Sequence, residues 1–394
     1  MDKPTALSVY LHWPFCLKIC PYCDFNVHRH RGVDEAQWFS WFSAELEYAK
    51  DMRSDGPVET VYFGGGTPSL MSADLIGKLL GKIDQLWGMA PSAEISLEAN
   101  PENIEKQHLQ ALRASGISRL SLGLQSFDDK ALKFLGRNHT GAMASEAFDL
   151  ARRVFDEVSM DLIYARPDQS LEAWAAELQV GLDHAPDHLS LYELGIEPGT
   201  SFYKQMEKGR LQPIRETMAA ELYELTQEIC EAAGLPAYEV SNHARPGHEC
   251  RHNLNSWLGG DYLGIGPGAH GRVTTQRGRV ATQGLRDPRQ WQDAVEANKN
   301  GYEQLDVLSD LDAWEEYVLL SLRLVSGLAF ADLPSDPTMK NASSENRVPV
   351  LNQAAIAEFS SLGYLEHDDQ RLRVTQTGRP VLDYMLARLI AQEV

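Results

Sequence analysis

Cysteine is scarce in this chain. There are five in 394 residues, Cys16, Cys20, Cys23, Cys230 and Cys250, an odd number with three packed into eight positions. That excludes a secretory disulfide framework, which needs paired cysteines spread over a small domain. Positive charge is also short. Lys and Arg total 36 against 56 Asp and Glu, a net charge of −20. A general nucleic-acid or membrane-surface binder needs a positive face, so both classes are disfavoured, although a local basic pocket is compatible with the balance. No run approaches the 18 or so apolar residues of a membrane span, and the first 15 residues lack a long apolar stretch and a small-residue cleavage site. The expected setting is cytoplasmic and reducing. Finally, no GxGxxG follows the first strand pattern, which removes the usual sign of two dinucleotide-binding halves.

What the chain does have is alternation. Short β-rich runs at 8–12, 58–63, 94–98, 119–124, 158–163 and 188–194 alternate with helical patterns near 35–51, 72–87, 104–115, 142–156, 171–184 and 216–233. Ser72 and Ser170 sit where N-caps belong, and Gly116 and Gly234 follow helices where a left-handed residue closes the last turn. Such β–α units predict an α/β fold, a parallel sheet covered by helices and curled into a barrel or part-barrel over residues 1–235. Residues 236–305 read as a Gly/His-rich connecting region with one good strand, at 237–240. The glycine-rich run at 259–271 is either a surface loop or a place where backbone approaches a ligand closely. Residues 306–394 read as a separate small α+β unit: a helix over 309–327 with a Ser309/Asp312 capping box, a polar loop at 333–347, a helix over 350–362, a hairpin around Asp368, and a last helix over 379–392. Helix, hairpin and helix resemble a winged helix, but the hairpin carries few basic side chains, so a packing or lid role is expected.

The strongest chemical signal is Cys16-x3-Cys20-x2-Cys23, directly after the first strand. Pro14 and Pro21 keep that segment from forming a regular helix. Clustered thiolates select zinc or iron–sulfur. Structural zinc wants a fourth protein ligand, for which His12, His28 and Cys250 are candidates. Three cysteines alone suit a [4Fe–4S] cluster with one iron open to another ligand. Gly64-Gly65-Gly66-Thr67-Pro68 ends the second strand. Alone it is an ordinary tight turn; on the rim that carries the cysteine loop it exposes backbone to a ligand, and in β/α barrels that rim is the active face.

The cysteine spacing and this glycine motif together resemble the radical S-adenosylmethionine (SAM) superfamily. YLHWPFCLKICPYCDFN (10–26), SLEANPE (96–102), SLGLQSFDDKALKFLGRNH (121–139), DLIYARPDQS (161–170) and IEPGTSFY (196–203) are similar to its HemN/HemW branch, and the likeness runs through the C-terminal unit. It implies a partial (βα)6 barrel. It implies that Cys16, Cys20 and Cys23 hold a [4Fe–4S] cluster whose fourth iron takes S-adenosyl-L-methionine. Gly65, Gly66 and Thr67 would meet its methionine end, and Tyr10, Glu98, Gln125, Arg137 and Asp161 would line it. The branch's coproporphyrinogen III oxidases carry a further cysteine two residues after the third and a long N-terminal extension. Here Phe25 occupies that place and the first cysteine is residue 16. Both features resemble the HemW-type heme chaperones instead.

The stretch CRHNLNSW (250–257) resembles their HNxxYW motif, with Ser256 where Tyr is expected. This implies His252 as a heme ligand, with Cys250 as a soft alternative. The stretch is histidine-rich (His243, His248, His252, His270), so another metal is a further reading, and Arg245, Arg251 and Arg272 are the nearby cations for heme propionates. Cys230 reads as a structural thiol. The expected partners are heme, an acceptor hemoprotein of the respiratory kind, an electron donor and a second copy in a homodimer, with neither nucleic acid nor a transmembrane segment. The competing functions are oxygen-independent coproporphyrinogen III oxidation and a non-catalytic zinc scaffold.

Overall fold

The computed structural model describes residues 6–53, 55–333 and 351–390. Among these residues, 11 strands form one sheet. Seven run parallel: β1 (Leu7–Trp13), β2 (Val58–Gly65), β3 (Met89–Ala99), β4 (Arg119–Gln125), β5 (Glu157–Tyr164), β6 (His188–Glu193) and, on the other side of β1, the strand Asp261–Ile265. The crossover helices α1 (Glu35–Met52), α2 (Ala73–Trp87), α3 (Lys106–Ala114), α4 (Gly141–Arg152) and α5 (Leu171–Asp183) pack outside the sheet. α6 (Glu216–Ala232) follows β6. The caps form as expected: Ser72 accepts from Leu75 N–H and Ser170 from Ala173 N–H.

The strand sequences explain the curl. Each alternates apolar residues toward the helices with polar residues toward the bore. In β1 the apolar set is Leu7, Val9, Leu11 and Trp13, all buried in the main core, while Ser8, Tyr10 and His12 alternate with them. β2 offers Thr60 and Tyr62 to the bore, β3 Glu94, Ser96 and Glu98, and β4 Arg119 and Ser121. The interior of this part-barrel is therefore hydrophilic and partly open rather than filled by branched side chains as in a closed barrel.

Two expectations change. The predicted strand at 237–240 is irregular; the strand lies at Asn242–Ala244 (β7), antiparallel to β6. Residues 236–305 are not mostly loop. After a short helix, α7 (Arg251–Trp257), come β8 (Asp261–Ile265), β9 (His270–Thr275), β10 (Gly278–Gly284), helix α8 (Pro288–Asn298) and β11 (Tyr302–Val307). These four strands extend the main sheet beyond β1. Glycine hid this pattern. At β8–β9 a Cβ on Gly264 would lie 2.0 Å from the His270 carbonyl, so glycine here lets two strands pair closely.

The C-terminal unit has its own core, built on Trp314, Val318, Phe359, Leu372, Met385 and Leu389. Helix α9 (Asp310–Ser321) opens it with the Ser309/Asp312 capping box. Strands β12 (Leu328–Ala329), β13 (Leu365–His367) and β14 (Arg371–Val374) form a small antiparallel sheet beside helices α10 (Gln353–Ser361) and α11 (Leu382–Ile390). The polar loop expected at 333–347 lies outside the described residues from 334 onward. No helix among the described residues is long and apolar enough to cross a membrane.

Candidate functional site

The C-terminal ends of the parallel strands surround a cavity of about 400 Å³. Cys16, Cys20 and Cys23 line it, partly buried and without disulfides. Burial pushes the Cys23 thiol up to about 12 and raises Cys16, so metal binding must displace thiol protons. Thr67 Oγ1 donates to Cys16 Sγ at 3.4 Å, and Arg137 Nη1 donates to Cys20 Sγ at 3.7 Å. Among the described residues, no three His, Cys, Asp or Glu side chains form a group that could hold a single metal ion. A cluster spreads its thiolates over different irons and does not require that convergence. Of the candidate fourth zinc ligands, His28 does not line the cysteine cavity and its buried Nε2 has no hydrogen-bond partner, while His12 and Cys250 are engaged elsewhere. His12 Nε2 bonds the Asn26 carbonyl and its Nδ1 bonds Tyr10 Oη, while Cys250 donates to Glu94.

Beside the cysteines, Gly65, Gly66, Thr67, Glu98, Gln125, Arg137 and Asp161 line the same cavity. Gly65 has φ +110°, and a Cβ there would sit 2.5 Å from the His12 ring, so both conformation and crowding demand glycine. Glu98 accepts from Gly65 N–H at 3.1 Å. Burial, and then repulsion from Asp161, pushes Glu98 up to about 7. Burial likewise pushes Asp161 up to about 7 against hydrogen bonds from Ser121 and Ser190. Arg137 donates to Asn100 Oδ1 and to the Gly123 carbonyl, and its buried Nε has no partner. Two buried acids, an orphan guanidinium N–H and exposed glycine backbone make a donor and acceptor set that suits a zwitterion carrying amine and carboxylate. These residues fit the cluster and cofactor that the sequence motifs imply.

A second cavity of about 550 Å³ adjoins the first. Phe25, Tyr62, Gly65, Glu98, Tyr192 and Asn253 line both. Tyr10 lines this second cavity and is absent from the lining of the first. His252 is also here, 5% exposed, with Nδ1 2.8 Å from Thr60 Oγ1. Thr60 Oγ1 also bonds Ser8 Oγ at 2.7 Å, so Nδ1 is held in a hydroxyl network and Nε2 is the ring nitrogen left toward the cavity. Burial lowers His252 to about 3, which keeps the ring neutral. A neutral imidazole with its other nitrogen oriented by a hydrogen bond is the usual form of a metal-ligating histidine. Ser256, in place of the expected Tyr, donates to the His252 carbonyl and lines the same cavity. Cys250 faces the first cavity, and its thiol, buried beside Glu94, is pushed up to about 12. His243 and His248 line neither cavity; His248 pairs with Glu157 instead. Cys230 is fully buried in the main core.

The expected propionate cations are not free. Arg245 pairs with Asp187, Arg251 with Glu59 and Arg272 with Glu316. The guanidinium that borders the second cavity is Arg286, which sequence reasoning passed over because it stands beyond the glycine run with no motif around it. Asn100 and Tyr62 were also missed. Asn100 joins Thr67 to Arg137, and its place between a strand-end acid and a proline was the available signal.

Residues 10–179 match the radical SAM superfamily, and residues 308–381 match the HemN C-terminal domain. Heme chaperone HemW of Mycobacterium tuberculosis is 36% identical, with 97% of this chain and 94% of that one covered. HemW of Escherichia coli is 33% identical over the full length of both. The mouse mitochondrial radical S-adenosyl methionine domain-containing protein 1 is 36% identical over 98% of this chain and 88% of its own. The solved structure of E. coli coproporphyrinogen III oxidase (HemN) superposes with a TM-score of 0.79 at 22% identity, covering 98% of this chain and 90% of that one, which establishes the shared fold.

Proposed function

We propose a heme chaperone here, because the chain belongs to the radical SAM superfamily and, within it, to the HemW-type branch. It binds heme in the second cavity and passes it to an acceptor hemoprotein, in the cytoplasm. The observation that carries this reading is His252, a buried neutral imidazole with Nδ1 satisfied and Nε2 left for the second cavity. Of the two candidate heme ligands, His252 is favoured over Cys250, whose thiol is held protonated against Glu94 and borders the other cavity.

Cys16, Cys20 and Cys23 would hold the [4Fe–4S] cluster, and Gly65, Gly66 and Thr67 would present backbone to S-adenosylmethionine. Such a cluster with its cofactor supplies one-electron reductive chemistry. Arg137 orients a carboxylate through its free Nε, and Glu98 and Asp161 accept from amine or hydroxyl groups. Phe25 stands partly over both cavities, where the oxidase branch would have its extra cysteine.

Hemin titrated into anaerobically reconstituted protein should give a shifted Soret band, and heme should then pass to an apo-hemoprotein added in excess. Absence of hemin binding overturns the proposal. So does conversion of coproporphyrinogen III to protoporphyrinogen in an anaerobic assay with reductant and S-adenosylmethionine, which would assign the oxidase reading instead.

A further inference from the structure

We infer that the mouth of the second cavity is a carboxylate-binding rim, in which Arg286 and His270 receive the propionates of a tetrapyrrole whose iron lies deeper, at His252. The inference rests on the heme reading above and adds to it an orientation and a ligand requirement.

Depth comes from strand register. His252 bonds Thr60, which pairs with Ser8 near the start of β1. His12 pairs with Gly64 at the C-terminal rim. Four residues of strand span about 13 Å. Arg286 follows β10 at that same rim, since β10 runs antiparallel to β9, and His270 opens β9 just past the Gly266–Gly268 turn. The cavity is thus long, with one histidine at depth and a cation and a second histidine at its mouth. Its walls carry the rings of Tyr10, Tyr62 and Tyr192. Tyr10 stacks on Tyr62 at 6.2 Å, and Tyr62 lies 5.0 Å from the His252 ring.

Charge points the same way. Arg286 is the cation that lines the cavity, beside the neutral imidazoles of His12, His252 and His270 and one acid, Glu98. Arg286 is exposed and makes no ion pair among the described residues, in a chain of net charge −20. Four other cations of the region, Arg245, Arg251, Arg272 and Arg279, are all paired with carboxylates. Arg286 also lies close enough to His12 and His270 to disfavour their protonation. A free guanidinium beside the neutral imidazole of His270 is a donor set for a carboxylate, His12 being occupied by Tyr10 and the Asn26 carbonyl. A flat aromatic ligand with its acids on one edge matches that layout, ring inside and acids at the solvent edge.

The test compares hemin with hemin dimethyl ester, in which both propionates are neutral. Both are titrated into the full-length protein in one detergent-containing buffer and followed at the Soret band. Arg286→Ala should weaken hemin by about tenfold and leave the ester unchanged. Arg286→Lys should restore part of the loss, as a point charge replaces a bidentate fork. Arg245→Ala, whose side chain is occupied by Asp187, should leave hemin binding as in the wild type. Equal hemin affinity in wild type and Arg286→Ala, or equal losses for hemin and the ester, overturns the rim while leaving heme binding intact. If the wild type binds neither ligand, the heme reading falls and the rim with it.

Discussion

The two cavities share a wall but are built differently. The first is assembled mainly by repetition: most of its side chains come from successive β–α units, and its chemistry-bearing residues arrive inside short contiguous motifs, at 16–23, 65–67, 98–100, 125–137 and 161. Its chemistry is thiol, carboxylate and guanidinium. The second is assembled by distance, between β1 and strands that follow some 250 residues later. Its chemistry is imidazole and phenol with a single acid. A repeated fold therefore supplies the cysteine-lined cavity, and a strand extension on one flank supplies the histidine-lined cavity beside it.

The comparison makes opposite demands on single substitutions. The largest effect is expected from Cys20→Ala. It should abolish incorporation of iron and sulfide on anaerobic reconstitution, read by metal and sulfide analysis. The second cavity holds none of the three cysteines, so hemin affinity should stay within about twofold, a change smaller than one ordinary hydrogen bond. Loss of both would mean that the chambers are one site. His252→Ala should do the reverse. Cluster content should stay full, while hemin affinity should fall about a hundredfold and the Soret band should move, if His252 is a ligand to the heme iron.

The same contrast explains what was legible in the sequence. The six barrel strands and their helices were readable because the segments carry their own period, several with caps such as Ser72 and Ser170, and the first cavity's motif residues sit at or just past the ends of such segments. The four strands from Asp261 to Val307 were not. Gly264, Gly266, Gly268 and Gly271 break any apolar alternation, and glycine stands there because backbones approach closely, a fact of tertiary structure that no local window contains. Arg286 was missed for a related reason: only its place on the cavity wall, beside Arg272 and Arg279 that pair with distant carboxylates, marks it out among the described residues. Tyr10 shows the limit of motif transfer. It lies in the cysteine motif, yet its ring borders the other chamber because β1 pairs on one side with the added strand Asp261–Ile265.

Asn26 tests how independent the chambers are. It lies three residues past Cys23, and its amide donates to the carbonyls of Pro267 and Arg286, both at 2.9 Å. It thereby ties the cysteine loop to the rim of the second cavity. Asn26→Ala removes two hydrogen bonds at about 1 kcal/mol each. Hemin affinity should fall a few fold, and the reconstituted cluster should lose iron to a chelator faster than in the wild type. An effect on only one of the two measurements would show that the staple serves one chamber alone.

The smallest effect on either ligand, and a separate one on stability, is expected at Glu45. Its carboxylate is fully buried in α1 and accepts from Gly266 N–H at 2.7 Å, Gly301 N–H at 3.0 Å and Trp291 Nε1–H at 3.1 Å, so it braces the second chamber from behind. Burial outweighs these bonds and pushes Glu45 up from 4.5 to about 7. The folded state then holds more protons than the unfolded state between those two values. Unfolding free energy should decline as pH rises from about 4.5 to 7 and level off above, with this group contributing a few kcal/mol of the change. Glu98 and Asp161 are raised to about 7 as well and act in the same direction. Denaturant unfolding of the metal-free protein across this range should therefore slope less steeply for Glu45→Gln than for wild type, yet still slope. Parallel curves would mean that the three N–H donors hold Glu45 ionised in the folded state at acid pH, and that the brace of the second chamber is ionic rather than neutral.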